Sequence, residues 1–350
     1  LSKTDNTLKL PEKYNGLGYQ NLISMVFDLM GFRDDWMREG KAKDTNTVIE
    51  PMHLVLVEEP EAHLHIQVQQ VFIRQAYKVL TNHKFLKQNL NFTTQLVITP
   101  HWSHIAIETT FGNLRYFKRL PEGTECAVAT SKVINLSDVF GDSDQTNKFV
   151  TRYLQSTHCD LFFADAAILV EGVAESMLLP HFIRSKFPEL YQRYITILGV
   201  NGRHAHRLSP LIEKLCLPTL VITDLDPAEK EGYHKSVVLK RGEGQISGNY
   251  AIAKWLMKEK DIDKLVDYSE DKKEFSFASP YRFSIRLAYQ TPVKVDFEGE
   301  EKEAIPGTFE DCLIYTNYDL FKKIKVTDSG NLVEQTHDLL NSNDTFETVS

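Results

Sequence analysis

Four acidic residues follow two short apolar segments in the second half of the chain. Glu171 follows AAILV, and Glu175 comes four residues later, on the same face of the helix predicted there. Asp224 and Asp226 follow TLVIT, and their spacing turns both carboxylates to one side of a strand end. Carboxylates this close repel one another, and a hard cation that binds oxygen removes that repulsion. The spacing therefore predicts a site for Mg²⁺ or Mn²⁺.

A second pair of acidic residues follows the apolar segment HLVLV in the first half of the chain. Glu58 and Glu59 stand between this segment and Pro60, which closes a tight turn. An ATPase needs such a pair, because one carboxylate holds Mg²⁺ through water and the next orients the water that attacks the γ-phosphate. His101 follows a later apolar segment, QLVITP, where it could contact the same phosphate. The pattern predicts one side of an ATP site.

The loop that cradles the phosphates in such a site is not found in the sequence. No G-x-x-x-x-G-K-[ST] segment occurs in the 350 residues. We expect this loop upstream of Leu1, so that ATP binds in the full-length protein.

The elements that must position these residues are short strands alternating with helices. AAILVEG, YITILGV and TLVITDLD predict parallel strands of a Rossmann-like sheet, and the first half also predicts an α/β arrangement. The stretch 121–147 is rich in turn-forming residues and indicates a junction. We predict an ATPase segment at 1–120, a linker at 121–155, a second α/β domain at 156–327 and a polar tail at 328–350.

Composition excludes several other classes of protein. No apolar run approaches the roughly 20 residues that cross a bilayer, so we expect no membrane partner. The start of the chain does not have the pattern of a signal peptide, and its four cysteines form no CxxC pair, which favours a reducing cytoplasm. The net charge of −8 argues against bulk coating of nucleic acid but allows a local basic groove.

The first half resembles the C-terminal part of the ABC-type ATPases. Glu58 and Glu59 resemble the Walker B acids, EAHLH the D-loop, and His101 the switch histidine. The segment NGLGYQNL resembles a signature motif, in which Gly18 and Gln20 would cap the phosphate of a nucleotide held by a second protomer. The resemblance therefore implies a homodimer. Glu58 stands where many ABC proteins have Asp.

The second half resembles the Toprim domain, and within that superfamily the OLD (overcoming lysogenization defect) nucleases. The resemblance is carried by the acids of LVEGVAE and LVITDLD and by the later segments AYQTP and GTFEDCLIYTN. It implies that Glu171, Asp224 and Asp226 hold one metal ion, while Glu175 and Glu310 help hold a second. It also implies a DNA endonuclease that an ATPase domain regulates, with a role in defence against phage or foreign DNA.

Basic and amide side chains follow the second pair of acids. Lys235, Lys240, Arg241, Asn249 and Lys254 could track a DNA backbone passing over the acidic residues. A solvated loop without a ligand is an equal alternative.

Three other interpretations compete with a nuclease. The acids could be ordinary helix starts or caps, with no chemistry. The chain could belong to an ATP-driven DNA-binding or repair clamp that does not cut. Strand passage on the same fold would need a nucleophilic tyrosine, and neither Tyr153, Tyr281 nor Tyr289 is singled out by its sequence context.

Overall fold

Two compact units make up the chain, one formed by Leu1–Asp138 with Thr151–Phe163 and the other by Val139–Val150 with Ala164–Ser350. The computed structural model describes residues 16–39, 48–62, 64–89, 91–101, 108–120, 122, 127–137, 139, 159–200, 204–230, 237–278, 281–297 and 299–323. Lys235 and the tail predicted at 328–350 lie outside these residues. The predicted α/β class is confirmed, and the domain boundaries proposed from the sequence stay predictions.

The first unit pairs helices with two small sheets. Its helices are α1 (Leu17–Trp36), α2 (Ile66–Thr81) and α3 (Lys84–Gln88). Its strands are β1 (Met52–Glu58), β2 (Thr93–Thr99), β3 (Arg115–Leu120) and β4 (Thr130–Asn135), with 3-10 turns at Phe111–Asn113 and Cys159–Phe162. β1 runs parallel to β2, and β3 runs antiparallel to β4.

The core of this unit forms between α1, α2 and β1. Phe72, Ala76 and Leu80 recur every four residues, so they share one face of α2 and are buried together. They pack with Leu29 of α1 and Val55 of β1. This packing fixes the strand that leads into the Glu58–Glu59 turn.

The second unit is an α/β domain built from more and shorter elements. Its helices are α4 (Val173–Lys186), α5 (Pro188–Tyr191), α6 (Ser209–Leu215), α7 (Ile262–Val266), α8 (Phe309–Thr316) and α9 (Tyr318–Lys323). Its first strands are β5 (Ala166–Val170), β6 (Ile195–Gly199), β7 (Thr219–Ile222), β8 (Pro227–Ala228) and β9 (Ile246–Ser247). The remaining strands are β10 (Glu274–Phe277), β11 (Phe283–Ala288), β12 (Val293–Phe297) and β13 (Glu300–Ala304). A π-helical turn spans Ala251–Trp255.

A five-stranded sheet forms the centre of the second unit, in the order β10-β11-β7-β5-β6. β11, β7, β5 and β6 are parallel, and β10 is antiparallel to β11. Leu169, Val221 and Ile285 have no solvent exposure, as expected for inner strands covered on both faces. Within the described part of the chain, no helix has the length and apolar character needed to cross a membrane.

The order of the strands decides which functional residues meet. β6 lies between β5 and β7 in sequence, yet it forms the edge of the sheet, and β5 pairs directly with β7. Because these two strands are parallel, their carboxyl ends lie side by side. The acids that follow β5 and β7 are therefore neighbours.

We expect Leu169→Ala to lower the free energy of unfolding by roughly 2–5 kcal/mol, because it opens a cavity in the central strand. Urea denaturation followed by circular dichroism measures the change. Leu320→Ala, at a side chain that is 61% exposed, is the control and should change stability by no more than about 0.5 kcal/mol. Equal losses for the two variants would contradict a central position for β5.

Candidate functional site

Glu171 is held at the junction of β5 and β7. The register pairs Leu169 with Val221, so two residues further on Glu171 stands beside Thr223. Its Oε2 accepts a hydrogen bond of 2.6 Å from the Thr223 hydroxyl and one of 2.8 Å from the Asp224 main-chain N–H. Burial raises the pKa of Glu171, and these two hydrogen bonds offset part of that rise. The carboxylates of Asp226 and Glu175 raise it further.

Asp224 is the acid whose ionisation is most perturbed. Burial raises the pKa of Asp224 to about 7, and the nearby carboxylates of Glu171, Glu175 and Asp226 add to this effect. The side-chain amide of Gln290 donates to Asp224 Oδ1 and opposes the rise. The four acids therefore act on one another electrostatically, as their spacing in the sequence predicts.

Asp226 adopts a left-handed backbone conformation at the end of this segment, with φ of +48°. Aspartate tolerates this conformation better than most side chains other than glycine. The Asp226 carbonyl accepts a hydrogen bond of 2.8 Å from Gly248 N, which ties it to the strand pair β8–β9. This link brings Asn249 into the acidic cluster.

Asn249 lies inside the cluster and has no solvent exposure. Its amide donates to the Thr223 hydroxyl at 2.7 Å, and it lies 3.4 Å from oxygens of both Glu171 and Asp226. The amide supports the acids in this structure, and the DNA contact expected for Asn249 from the sequence stays a prediction.

Glu175 lies in the first turn of α4 and is 3% exposed. Its carboxylate approaches Gly172 so closely that a Cβ at that position would overlap Oε2. Gly172 has an ordinary φ of −111°, so a larger residue here would displace the Glu175 carboxylate and would not strain the backbone.

The chemistry of this cluster fits a divalent metal ion. Glu171, Glu175, Asp224 and Asp226 are oxygen donors, and a hard cation would offset the burial and repulsion that raise the pKa of two of them. Among the described residues, however, no three His, Cys, Asp or Glu side chains are arranged around a common point as metal ligands. Glu171 and Asp224 instead bind protein donors, so some carboxylates would have to rotate to share an ion.

Glu310 lies on α8, which is in contact with α4, the helix that bears Glu175. It is exposed in the first turn of α8, where Thr308 and Asp311 form a reciprocal capping box. No contact recorded among the described residues joins it to the four acids. Its role as a ligand of a second ion stays a prediction.

Three of the remaining predicted DNA contacts, Lys240, Arg241 and Lys254, are described, and they lie on the surface. Lys240 and Lys254 are exposed, with the Lys254 ammonium 4.3 Å from the centre of the Tyr250 ring. Arg241 pairs with Asp267 at 2.7 Å and with Glu303 at 3.4 Å. Arg241 would have to exchange these partners to bind a phosphate.

The first unit brings three of its predicted ATPase residues, Glu58, Glu59 and His101, to the adjacent ends of β1 and β2. Glu58 ends β1 opposite Thr99 of β2, and Glu59 follows with φ of +45° and donates its N–H to the Thr99 carbonyl at 3.1 Å. His101 Nδ1 lies 3.6 Å from Glu59 Oε1. Gly18 and Gln20 lie in the first turn of α1.

Glu61 is a residue that sequence reasoning did not assign to the ATPase site. Its side chain is 1% exposed, and Oε1 accepts the His101 main-chain N–H at 2.6 Å and lies 3.2 Å from His101 Nδ1. The signal in the sequence was a third acid immediately after Pro60. Thr223 and Gln290 were missed as well, and for them no spacing rule gave a signal, since each meets its acid only through strand pairing.

Comparisons with known proteins match both halves of the chain. Residues 162–226 match the family model "Overcoming lysogenization defect protein-like, TOPRIM domain", and residues 3–106 match the model "AAA ATPase domain". "Endonuclease GajA" of Bacillus cereus (strain HuB5-5) is 29% identical over 329 residues, which cover 90% of this chain and 43% of that protein. The chain thus spans less than half the length of this relative. The acids Glu171 and Asp224 fall within the first match, and Glu59 and His101 within the second. The chain is thus similar to proteins of the OLD family and combines a segment that matches an AAA ATPase domain with one that matches an OLD-like Toprim domain.

Proposed function

We propose that this chain is part of a metal-dependent DNA endonuclease that hydrolyses phosphodiester bonds at the Toprim site. The observation that carries the proposal is the clustering of four mutually interacting carboxylates at the adjacent ends of β5 and β7. Ligands bind at the carboxyl ends of parallel strands in open α/β sheets. The match to an OLD-like Toprim domain, and a relative whose name is that of an endonuclease, point the same way.

Glu171, Asp224 and Asp226 would hold one ion, and Glu175 and Glu310 would help hold a second. Bound Mg²⁺ or Mn²⁺ would stabilise charge on the scissile phosphate and lower the pKa of a water molecule. The chain's own contribution is to hold the carboxylates in place, which Thr223 and its neighbours do through hydrogen bonds, and to shield them in part from bulk water, most completely at Glu175, which is 3% exposed.

DNA would lie over the acidic cluster, held by exposed cations. Lys240 and Lys254 are free to approach a phosphate without losing an ion pair among the described residues, whereas Arg241 would trade its acidic partners for one. Lys235 is proposed on the sequence alone. These contacts are to the phosphate backbone of DNA, so they increase the affinity for DNA without favouring one base sequence over another.

The ATPase segment would regulate cleavage. In this proposal Glu58 holds Mg²⁺, Glu59 orients the attacking water, and His101 contacts the γ-phosphate of ATP. Gly18 and Gln20 would cover the nucleotide of a second protomer, which makes a homodimer the working assembly. A biological role in defence against phage or foreign DNA is part of the same proposal.

A DNA-binding clamp that does not cut is the second candidate. It is favoured by one observation: no three acids among the described residues are arranged around a common point as metal ligands. Binding of DNA with Mg²⁺ or Mn²⁺ present, but with no strand breaks, would support the clamp.

Asp224→Asn and Asp226→Asn are expected to abolish nicking of supercoiled plasmid at every Mg²⁺ and Mn²⁺ concentration, because each removes a charged ligand oxygen. Asparagine preserves the side-chain shape and tolerates the positive φ at position 226. In EDTA both variants should melt at or above the temperature of the parent, since a buried like charge is removed.

Asp319→Ala is the control for these variants, because Asp319 is an exposed acid on α9. It should cut as the parent does. If Asp224→Asn also cuts as the parent does, the acids are structural and the nuclease proposal fails.

Gly172→Ala should weaken Mn²⁺ binding and slow cleavage, because the new methyl group displaces the Glu175 carboxylate. The loss should be smaller than that of Asp224→Asn, since the other ligands remain. Mn²⁺ titration calorimetry and the nicking assay measure it. Gly199→Ala is the matched control, with its Cβ at an ordinary 3.5 Å from Ser176 Oγ, and an equal effect of both variants would contradict this role for Glu175.

The isolated 350-residue chain should hydrolyse ATP slowly or not at all, because its sequence contains no G-x-x-x-x-G-K-[ST] loop to hold the phosphates. Release of inorganic phosphate is the measurement. Rapid turnover that Glu59→Gln abolishes would show that this chain holds ATP in a way the proposal does not include.

A further inference from the structure

Gln290 stands opposite Asp224 because of the pairing between β11 and β7. The register joins Ala288 to Ile222, and the Thr223 N–H donates to the Ala288 carbonyl at 3.0 Å, which extends the pairing past the ends of both strands. The same 66-residue offset separates Gln290 from Asp224. The sheet therefore delivers this glutamine to the acidic cluster from a strand that has no acid of its own in the site.

The amide of Gln290 makes two directed contacts there. Its Nε2 donates to Asp224 Oδ1, and its Oε1 accepts the Leu225 main-chain N–H at 3.0 Å. A main-chain N–H can only donate, so this second bond fixes which end of the amide faces the carboxylate. One oxygen of Asp224 is occupied by Gln290, and Oδ2 is left for another partner.

The backbone that bears Gln290 is anchored from the other side. The Tyr289 hydroxyl donates to the Leu265 carbonyl at 2.7 Å, and the Lys273 ammonium lies 4.6 Å from the centre of the Tyr289 ring. Lys273 itself has a side chain that is 2% exposed and pairs with Glu270 at 2.8 Å. Gln290 is 6% exposed, so burial also restricts its side chain.

We propose that Gln290 is a positioning residue of the metal site. It orients Asp224 through one carboxylate oxygen, so that the other oxygen is available to a divalent ion. The inference rests on the proposed metal-dependent function. A residue that forms a hydrogen bond to a metal ligand, without touching the metal itself, changes the metal affinity when it is removed.

A second buried glutamine of the same unit provides a matched control. Gln245 is also 6% exposed, and its amide also makes two bonds, accepting from Lys240 N at 3.0 Å and donating to the Val238 carbonyl at 2.8 Å. None of these contacts is with the four acids. Replacing each glutamine by methionine therefore removes a comparable buried amide, but only one of them supports a ligand.

The test is isothermal titration of the 350-residue chain with Mn²⁺ alone, together with thermal melts in EDTA. Gln290→Met should weaken Mn²⁺ binding by roughly 10- to 100-fold. Gln245→Met should leave Mn²⁺ affinity within about threefold of the parent, while both variants lose similar stability in EDTA. Mn²⁺ affinity is the deciding measurement because a purely structural glutamine would not change it.

Several outcomes overturn the inference. Parent-like Mn²⁺ affinity in Gln290→Met does so, as does an equal loss of affinity in Gln245→Met. If Gln290→Met does not fold, Gln290→Asn decides, because it keeps an amide too short to make both bonds. It should weaken Mn²⁺ binding at least threefold, and parent-like affinity would refute the role.

The parent chain separates this inference from the nuclease proposal. A parent that binds Mn²⁺ but does not cut plasmid refutes the nuclease proposal, and the variants still decide the role of Gln290. A parent that binds no Mn²⁺ refutes the metal site and the positioning role together.

Discussion

Mutual repulsion among partly buried carboxylates is the constraint around which the second unit is organised. Two adjacent parallel strands end in acids, and burial raises the pKa of Asp224 to about 7. A fold would ordinarily separate such groups or leave them in solvent, because burying an unpaired charge is costly. Here the surrounding chain supplies neutral hydrogen-bond donors, and a divalent cation would relieve the repulsion that remains.

The donors that stabilise the cluster come from different parts of the sequence. Thr223 belongs to the strand end itself, Asn249 comes from the segment after β9, and Gln290 comes from the segment after β11. All three are neutral, so they satisfy the carboxylate oxygens without cancelling their charge. A lysine or arginine in their place would pair with the acids and compete with a metal ion. Neutral amide and hydroxyl donors therefore leave the negative charge of the acids in place, as the proposed metal site requires.

The first unit uses a related arrangement at the end of β1. Glu61 is buried where the chain turns after Pro60, and it holds both the main chain and the ring of His101. The residue that would contact a nucleotide phosphate is thus oriented by an acid from the turn that follows the Walker B pair. In both units a buried side chain orients the residue that is expected to do chemistry. In both units that residue lies at the end of a pair of parallel strands.

The sequence alone determined the class of the fold and the identity of the acids. Apolar runs followed by Glu171 and Asp224 predicted parallel strands with functional carboxyl ends, because strand periodicity and helix spacing are local properties of the chain. Only the tertiary structure decided that β6 lies at the edge, so that β5 and β7 are direct neighbours. It also decided that Asn249 is buried among the acids and that Gln290 meets Asp224. Such contacts join residues far apart in the chain, and their partners are set by strand register, which no local pattern in one sequence encodes.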